Sequence, residues 1–161
     1  MKNLEIERKF LIEKEKWEKI SKPQGKKYYQ GYLSIDDCKS VRVRITGNQG
    51  FITIKGRAQT FSHPEFEYEI PAEDARELLR SYVISAIEKT RYRIPFSGFI
   101  WEVDVFNGEN KGLIMAEIEL RDPDEKFEIP EWVGKEVTGD ERYYNANLSK
   151  NPISNWHKKT R

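Results

Sequence analysis

Seven segments of this chain carry like-charged side chains two residues apart: Glu5 and Glu7, Arg42 and Arg44, Lys55 and Arg57, Glu67 and Glu69, Lys89 and Arg91, Glu102 and Asp104, and Glu117 and Glu119. Lys9 and Arg93 extend two of these rows, which makes eight acids and eight bases. An ordinary solvated sheet face mixes charges with Thr, Ser and Gln, because like charges side by side repel. Same-sign pairs repeated over several strands make more sense around a shared space that holds a ligand of mixed demand. Phosphate oxygens accept forked hydrogen bonds from guanidinium groups and draw point charge from ammonium groups. Carboxylates repel phosphate and belong near it only when they hold a divalent cation between them. Mg²⁺ and Mn²⁺ prefer oxygen ligands and are commonly bound by a few carboxylates plus substrate phosphates. A polyphosphate with such an ion satisfies both kinds of wall, and the chemistry that follows is metal-assisted hydrolysis or transfer.

The elements that must position these residues are short strands. Leu4, Ile6, Phe10 and Ile12 oppose Glu5, Glu7 and Lys9. Val41, Val43 and Ile45 oppose Arg42 and Arg44, and the same period of two recurs at Ile52–Arg57, Phe66–Ile70, Lys89–Ile94, Trp101–Val105 and Ala116–Leu120. With a less charged strand at Tyr28–Ile35, offering Gln30, Tyr32 and Ser34 on one face, the count is about eight. Gly47–Gly50 and Asn107–Gly112 read as hairpin turns. Short helices are expected at Glu13–Ile20, at Ala72–Tyr82 after Pro71, and from an Asp140 cap through Leu148. The fold class expected is mainly β (α+β): an eight-stranded antiparallel closed barrel with a charged lumen, its apolar outer faces covered by the few helices.

At 161 residues the chain suits a single domain spanning 1–161. Its 28 Lys plus Arg balance 27 Asp plus Glu, which argues against a basic nucleic-acid clamp. Charged residues make up 34%, above the usual ~25%, yet aromatics are plentiful, so disorder is not indicated. A mean hydropathy of -0.80 argues against a membrane barrel, and the N-terminal segment lacks the layout of a secretory signal, so a cytoplasmic location is expected. Cys38, the single cysteine, reads as a free thiol, and His63 and His157 read as solvated loop residues.

Glu5-Ile6-Glu7-Arg8-Lys9, an E-x-E-x-K, together with Arg42-Val43-Arg44, Thr53-Ile54-Lys55, Glu67-Tyr68-Glu69, Lys89-Thr90-Arg91 and Glu117-Ile118-Glu119, resembles the CYTH family, the triphosphate tunnel metalloenzymes. The segment Gly134–Asp140, followed by Arg142-Tyr143 and Asn145, is similar to the C-terminal end of the bacterial members. The resemblance implies an eight-stranded tunnel, a divalent metal (Mg²⁺ or Mn²⁺) and a triphosphate-bearing substrate. Carried over residue by residue, it implies that Glu7, Glu117 and Glu119 hold the principal metal ion, with Glu5 assisting a second metal or the attacking water. Lys9, Arg42, Arg44, Lys55, Lys89 and Arg91 would bind the triphosphate, and Arg142 would reach in from a C-terminal helix that plugs or gates one mouth. Glu5, Glu7 and Lys9 are the catalytic candidates. Glu67, Glu69, Arg93, Glu102 and Asp104 share the polar faces and would pair with the bases, and Arg57 suits a rim position as well as a binding one.

Within such a family, hydrolysis of inorganic triphosphate to pyrophosphate and phosphate needs only the charged tunnel, and it is the function expected here. The alternatives are an adenylate cyclase or a nucleoside or thiamine triphosphatase, which must also hold an organic group. A non-catalytic polyphosphate or nucleotide sensor would keep the bases but could lose the carboxylates, all four of which are present. Long nucleic acid is not expected as a partner, because no aromatic and basic strip for single strands is visible. A homodimer is compatible with the apolar strand faces.

Overall fold

Ring closure resolves the alternation of charged and apolar residues. The computed structural model describes residues 3–57, 59 and 61–156; His157 lies outside them. Nine strands form, β1 (Leu4–Ile12), β2 (Lys26–Ile35), β3 (Lys39–Thr46), β4 (Gln49–Gly56), β5 (Ser62–Ile70), β6 (Ser85–Phe96), β7 (Phe99–Phe106), β8 (Ile114–Leu120) and β9 (Val133–Glu136), with helices α1 (Lys14–Lys19), α2 (Ala72–Ser81) and α3 (Asn145–Lys150). The pairing order is β5-β4-β3-β2-β6-β7-β8-β1-β9, and a further β5–β1 pairing closes the first eight strands into an antiparallel barrel. β1 is shared three ways. One edge pairs with β8, with Glu7 opposite Glu119 and Lys9 opposite Glu117. The other edge pairs first with β5, with Glu5 opposite His63, and then with β9. The ninth strand therefore adds to the eight expected without entering the ring. Its four residues are too short a run to show alternation.

The core lies outside the barrel wall. Ile6, Trp101, Val103, Ile118 and Leu120 point outward and are covered by Trp17 of α1 and by Trp132. Trp101 is fully buried, with Phe10 and Trp132 rings at 5.5 and 6.0 Å in tilted and edge-on arrangements. On the opposite side α2 lays Ala75 and Leu79 against Val43. The helix comes so close to β4 that a Cβ on Gly50 would stand 2.6 Å from that of Ala75, so only glycine fits there.

Four lumen-facing rows change character along the barrel axis. Glu5, Glu7 and Lys9 are followed at the next inward position by Leu11, Lys89 and Arg91 are preceded by Ile87, Asp104 is followed by Phe106, and Glu117 is preceded by Met115. Ile87, Phe106 and Met115 form a second core with Leu148 of α3, against which Leu11 and Tyr143 pack. α3 thus plugs one end of the barrel with apolar side chains. Asp140 caps differently from the expectation: it accepts from the Arg142 backbone N–H and starts a short 3-10 turn, Glu141–Tyr143, and extended backbone at Tyr144 separates that turn from α3. Among the described residues no helix is long and apolar enough to cross a membrane.

Candidate active site

The charged half of the lumen encloses a cavity of about 330 Å³. Glu5, Glu7, Arg42, Arg44, Lys55, Lys89, Arg91, Glu117 and Glu119 all line it, so the closed barrel brings together nine of the eleven residues expected at the site. Lys9 lines an adjoining chamber of about 380 Å³, which shares Glu7, Arg42, Lys55 and Asn145 with the first. Arg142 is the exception. It does not line either cavity; its guanidinium donates to Asp140 at 2.7 and 3.0 Å and packs over the rings of Tyr143 and Trp156. The 3-10 turn after Asp140 faces Arg142 outward, and from this segment Asn145 lines both cavities while Tyr144 lines the adjoining one.

The bases are held by specific partners. Arg91 and Asp104 stand opposite each other across β6 and β7. Arg91 makes a forked pair with Asp104, Nε to Oδ1 at 2.7 Å and Nη2 to Oδ2 at 2.9 Å, and Lys89 Nζ donates to Oδ2 at 2.6 Å. Burial alone would raise the Asp104 carboxyl, but Arg91 and Lys89 hold it well below the usual carboxylate range. Lys89 also donates to Asn145 Oδ1 at 3.0 Å, and Arg44 donates to Gln30 Oε1 at 2.9 Å. Tyr28 lies beneath the guanidiniums of Arg44 and Arg91, at 4.5 and 5.2 Å. Arg42 donates to Thr53 Oγ1 at 3.1 Å, whose hydroxyl donates to Glu67 at 2.8 Å. Burial and the charges of Arg42 and Arg91 pull Arg44 down to about 9. Three guanidiniums this close favour an anion between them.

The acidic wall is less complete. Lys9 Nζ is 3.6 Å from Glu117, and Lys55 Nζ is 3.7 Å from Glu5 and 3.6 Å from Glu65, all beyond ordinary hydrogen-bond lengths. Burial, then the neighbouring Glu7 charge, pushes Glu117 up to about 7. Burial would also raise Glu7, but Lys55, His63, Lys9 and a hydrogen bond shared with Glu117 keep it well below the usual range. Glu5 Oε1 is buried with no hydrogen-bond partner among the described residues. Around the first cavity the carboxylates Glu5, Glu7, Glu65, Glu67, Glu102, Glu117 and Glu119 outnumber the five cations by two. A polyanion entering such a lining needs added positive charge. Hard oxygen donors in excess of the cations beside them, one carrying a raised pKa, fit a divalent cation.

His63 and Glu65 belong to this wall although the sequence reading put His63 in a loop. β5 begins at Ser62, upstream of Pro64, and its inward row runs His63, Glu65, Glu67. Parity back from Glu67 would have found both; Pro64 suggested a break where the strand in fact continues. Glu69 and Arg93, in contrast, are exposed, and Arg57 lies beyond β4 on the rim of the outer chamber. Asp104 stands behind Lys89 and Arg91, and Glu102 reaches Arg91 at 3.4 Å.

A model of the CYTH domain matches residues 3–150. The chain is 49% identical over 154 residues to an inorganic triphosphatase of Acetivibrio thermocellus, covering 94% of this chain and 97% of that protein. It is 34% identical, over 90% of this chain and 96% of the relative, to an inorganic triphosphatase of Nitrosomonas europaea. Among solved structures, a crystal structure of an inorganic triphosphatase superposes with a TM-score of 0.63 at 32% identity, over 89% of this chain and 96% of that one.

Proposed function

The chain belongs to the CYTH domain family, and from that premise we propose that it hydrolyses inorganic triphosphate to pyrophosphate and phosphate, with Mg²⁺ or Mn²⁺ held on Glu5, Glu7, Glu117 and Glu119. The observation that carries this reading is the charged cavity of about 330 Å³, in which five cations face an excess of carboxylates. Arg42, Arg44, Lys55, Lys89 and Arg91, with Lys9 beside them, bind the non-bridging oxygens and spread the charge that develops as water attacks the terminal phosphorus and the bond to the pyrophosphate oxygen breaks. The divalent ion, when bound, polarises a phosphoryl oxygen and lowers the pKa of coordinated water. Glu5 orients the attacking water. Asp104 and Asn145 fix the two β6 bases so that little reorganisation accompanies reaction.

The adjoining chamber, which includes Tyr32, Ile35, Phe61 and Tyr144, favours a second reading, turnover of an organic triphosphate such as a nucleoside or thiamine ester. We place the protein in the cytoplasm, with a triphosphate-bearing small molecule rather than long nucleic acid as its partner. The exposed apolar outer face of Ile54, Phe66 and Tyr68 supports a homodimer. Release of phosphate, pyrophosphate and cyclic nucleotide from inorganic triphosphate, ATP and thiamine triphosphate, with Mg²⁺, Mn²⁺ or EDTA, tests these readings. Metal-dependent phosphate release fastest on inorganic triphosphate is expected; cyclic AMP, or binding without turnover, would overturn it.

A further inference from the structure

We propose that Tyr144 is a positioning residue for Lys9: its ring face, together with the carbonyl of Tyr143, fixes the direction in which the Lys9 ammonium points into the tunnel. The effect on turnover rests on the triphosphatase reading; the placement of the ammonium requires no particular substrate.

The other bases are braced from within the ring of strands, Lys89 and Arg91 by Asp104 and Arg44 by Gln30. Lys9 is braced from outside it. The side chain is only 7% exposed, yet its carboxylate neighbour, Glu117, stands 3.6 Å away. Among the described residues its ammonium donates one hydrogen bond, to the Tyr143 carbonyl at 3.3 Å. The centroid of the Tyr144 ring lies 5.5 Å from Nζ, inside the ~6 Å over which a ring face attracts a cation. An ammonium has three donors, so these contacts leave donors unspent for an anion. A carboxylate in the same place would cancel the charge, whereas a ring face holds it without neutralising it. Both sides of the contact are anchored in the backbone. The Lys9 N–H donates to Thr138 Oγ1 at 2.9 Å, and the Lys9 carbonyl accepts from the Val137 N–H at 2.8 Å. The Tyr144 N–H donates to the Glu141 carbonyl at 3.1 Å, and the Tyr144 carbonyl accepts at 2.8 Å from the N–H of Leu148, which is fully buried in the plug. Packing does not account for the ring. Tyr143 joins the second core, but Tyr144 belongs to none of the three apolar clusters and instead walls the adjoining chamber beside Lys9.

Variants of the full chain at position 144 separate a ring face from mere bulk. Pentafluorophenylalanine keeps the shape of a phenyl ring and reverses the charge of its face. With inorganic triphosphate and Mg²⁺, Tyr144→Leu and Tyr144→pentafluorophenylalanine should each lower kcat about 10-fold and move KM less than about threefold, and Tyr144→Phe should recover most of that loss. Circular dichroism and melting check that each variant folds. In the metal-free protein, the Hε resonances of Lys9, assigned by their loss in Lys9→Arg, should lie upfield of those of the other lysines in the ring current of Tyr144 and return to the ordinary position in Tyr144→Leu. Equal kcat in the phenylalanine and pentafluorophenylalanine variants, or Lys9 resonances that stay in place when the ring is removed, would overturn the proposal. Absence of phosphate release from the unaltered protein counts against the triphosphatase reading, and the Lys9 resonances then decide the placement by themselves.

Discussion

On the β6–β7 side of the tunnel one carboxylate, Asp104, is met by two cations at 2.6 and 2.7 Å and is almost wholly buried. On the β1–β5–β8 side Glu5, Glu7, Glu65 and Glu117 share Lys9, Lys55 and His63 at 3.1 Å or more. With Glu102, 3.4 Å from Arg91, the first arrangement sets two carboxylates against two cations, and its charge balances inside the protein. The second has more negative charge than its partners neutralise, which it shows as a raised pKa on Glu117. A wall balanced from within positions its side chains; a wall left unbalanced is completed by a ligand. The basic residues are therefore held in place by the chain itself, and on the function proposed above the acidic ones would change state when a cation arrives.

Glu117→Gln breaks the unbalanced wall and has the largest expected effect on chemistry: metal-dependent turnover should fall by about 10³-fold or more, roughly 4 kcal/mol. Melting in EDTA should hold steady or rise, because the amide removes a carboxylate crowded by Glu7. A loss of melting temperature in that variant would mean that Glu117 is structural. Asp104→Asn breaks the balanced wall instead. It leaves Lys89 and Arg91 buried without their counter-charge and should cost about 3 to 5 kcal/mol of stability, read by denaturant titration. Unchanged stability there would erase the contrast between the walls.

Acidity sharpens the comparison. Glu117 sits near 7 in the folded chain against an ordinary 4.5, and burial raises Glu65 and Glu119 as well. For groups raised on folding, the stabilising contribution is intact below the ordinary value and is lost as pH climbs through the folded one. The metal-free protein should therefore melt a few degrees lower at pH 7 than at pH 5, at ~2 to 4 °C per kcal/mol, and Mn²⁺ should restore the difference. Asp104, held low, acts in the opposite sense and only at more acid pH. A melting temperature that rises over this interval in EDTA would show that the acidic wall is already compensated. The smallest change is expected from Arg142→Ala. Its side chain is paired with Asp140 at the surface, so turnover should move less than about threefold and the melting temperature should barely change, as measured by steady-state kinetics and melting.

Much of this contrast was written in residue parity. Because side chains alternate along a strand, Glu5, Glu7, Lys89, Arg91, Glu117 and Glu119 announced one shared face, and the excess of charge made an interior lumen more reasonable than an exposed sheet. Parity stops at punctuation. Pro64 concealed the start of β5 and with it His63 and Glu65, and the four residues of β9 were too few to alternate. The switch from charged to apolar lumen positions was hidden for another reason: Leu11, Phe106 and Met115 look like core, and only closure shows that they face inward under α3. The side on which Arg142 emerges depends on a capping contact two residues earlier, which no periodicity encodes.

The three-way sharing of β1 has a consequence for how the chain is made. Leu4–Ile12 is made before all its partners, and two of them, β8 and β9, lie more than a hundred residues on, at Ile114–Leu120 and Val133–Glu136. Pairings of such long sequence separation form late, since loop closure must precede their reward. Glu5 and Glu7 thus lack the β8 side of their strand until Leu120 has been made, although β5 is available earlier. They meet Glu117 only when the ring shuts, so a nascent or truncated chain should not capture the ion, and cation uptake would report completion of folding.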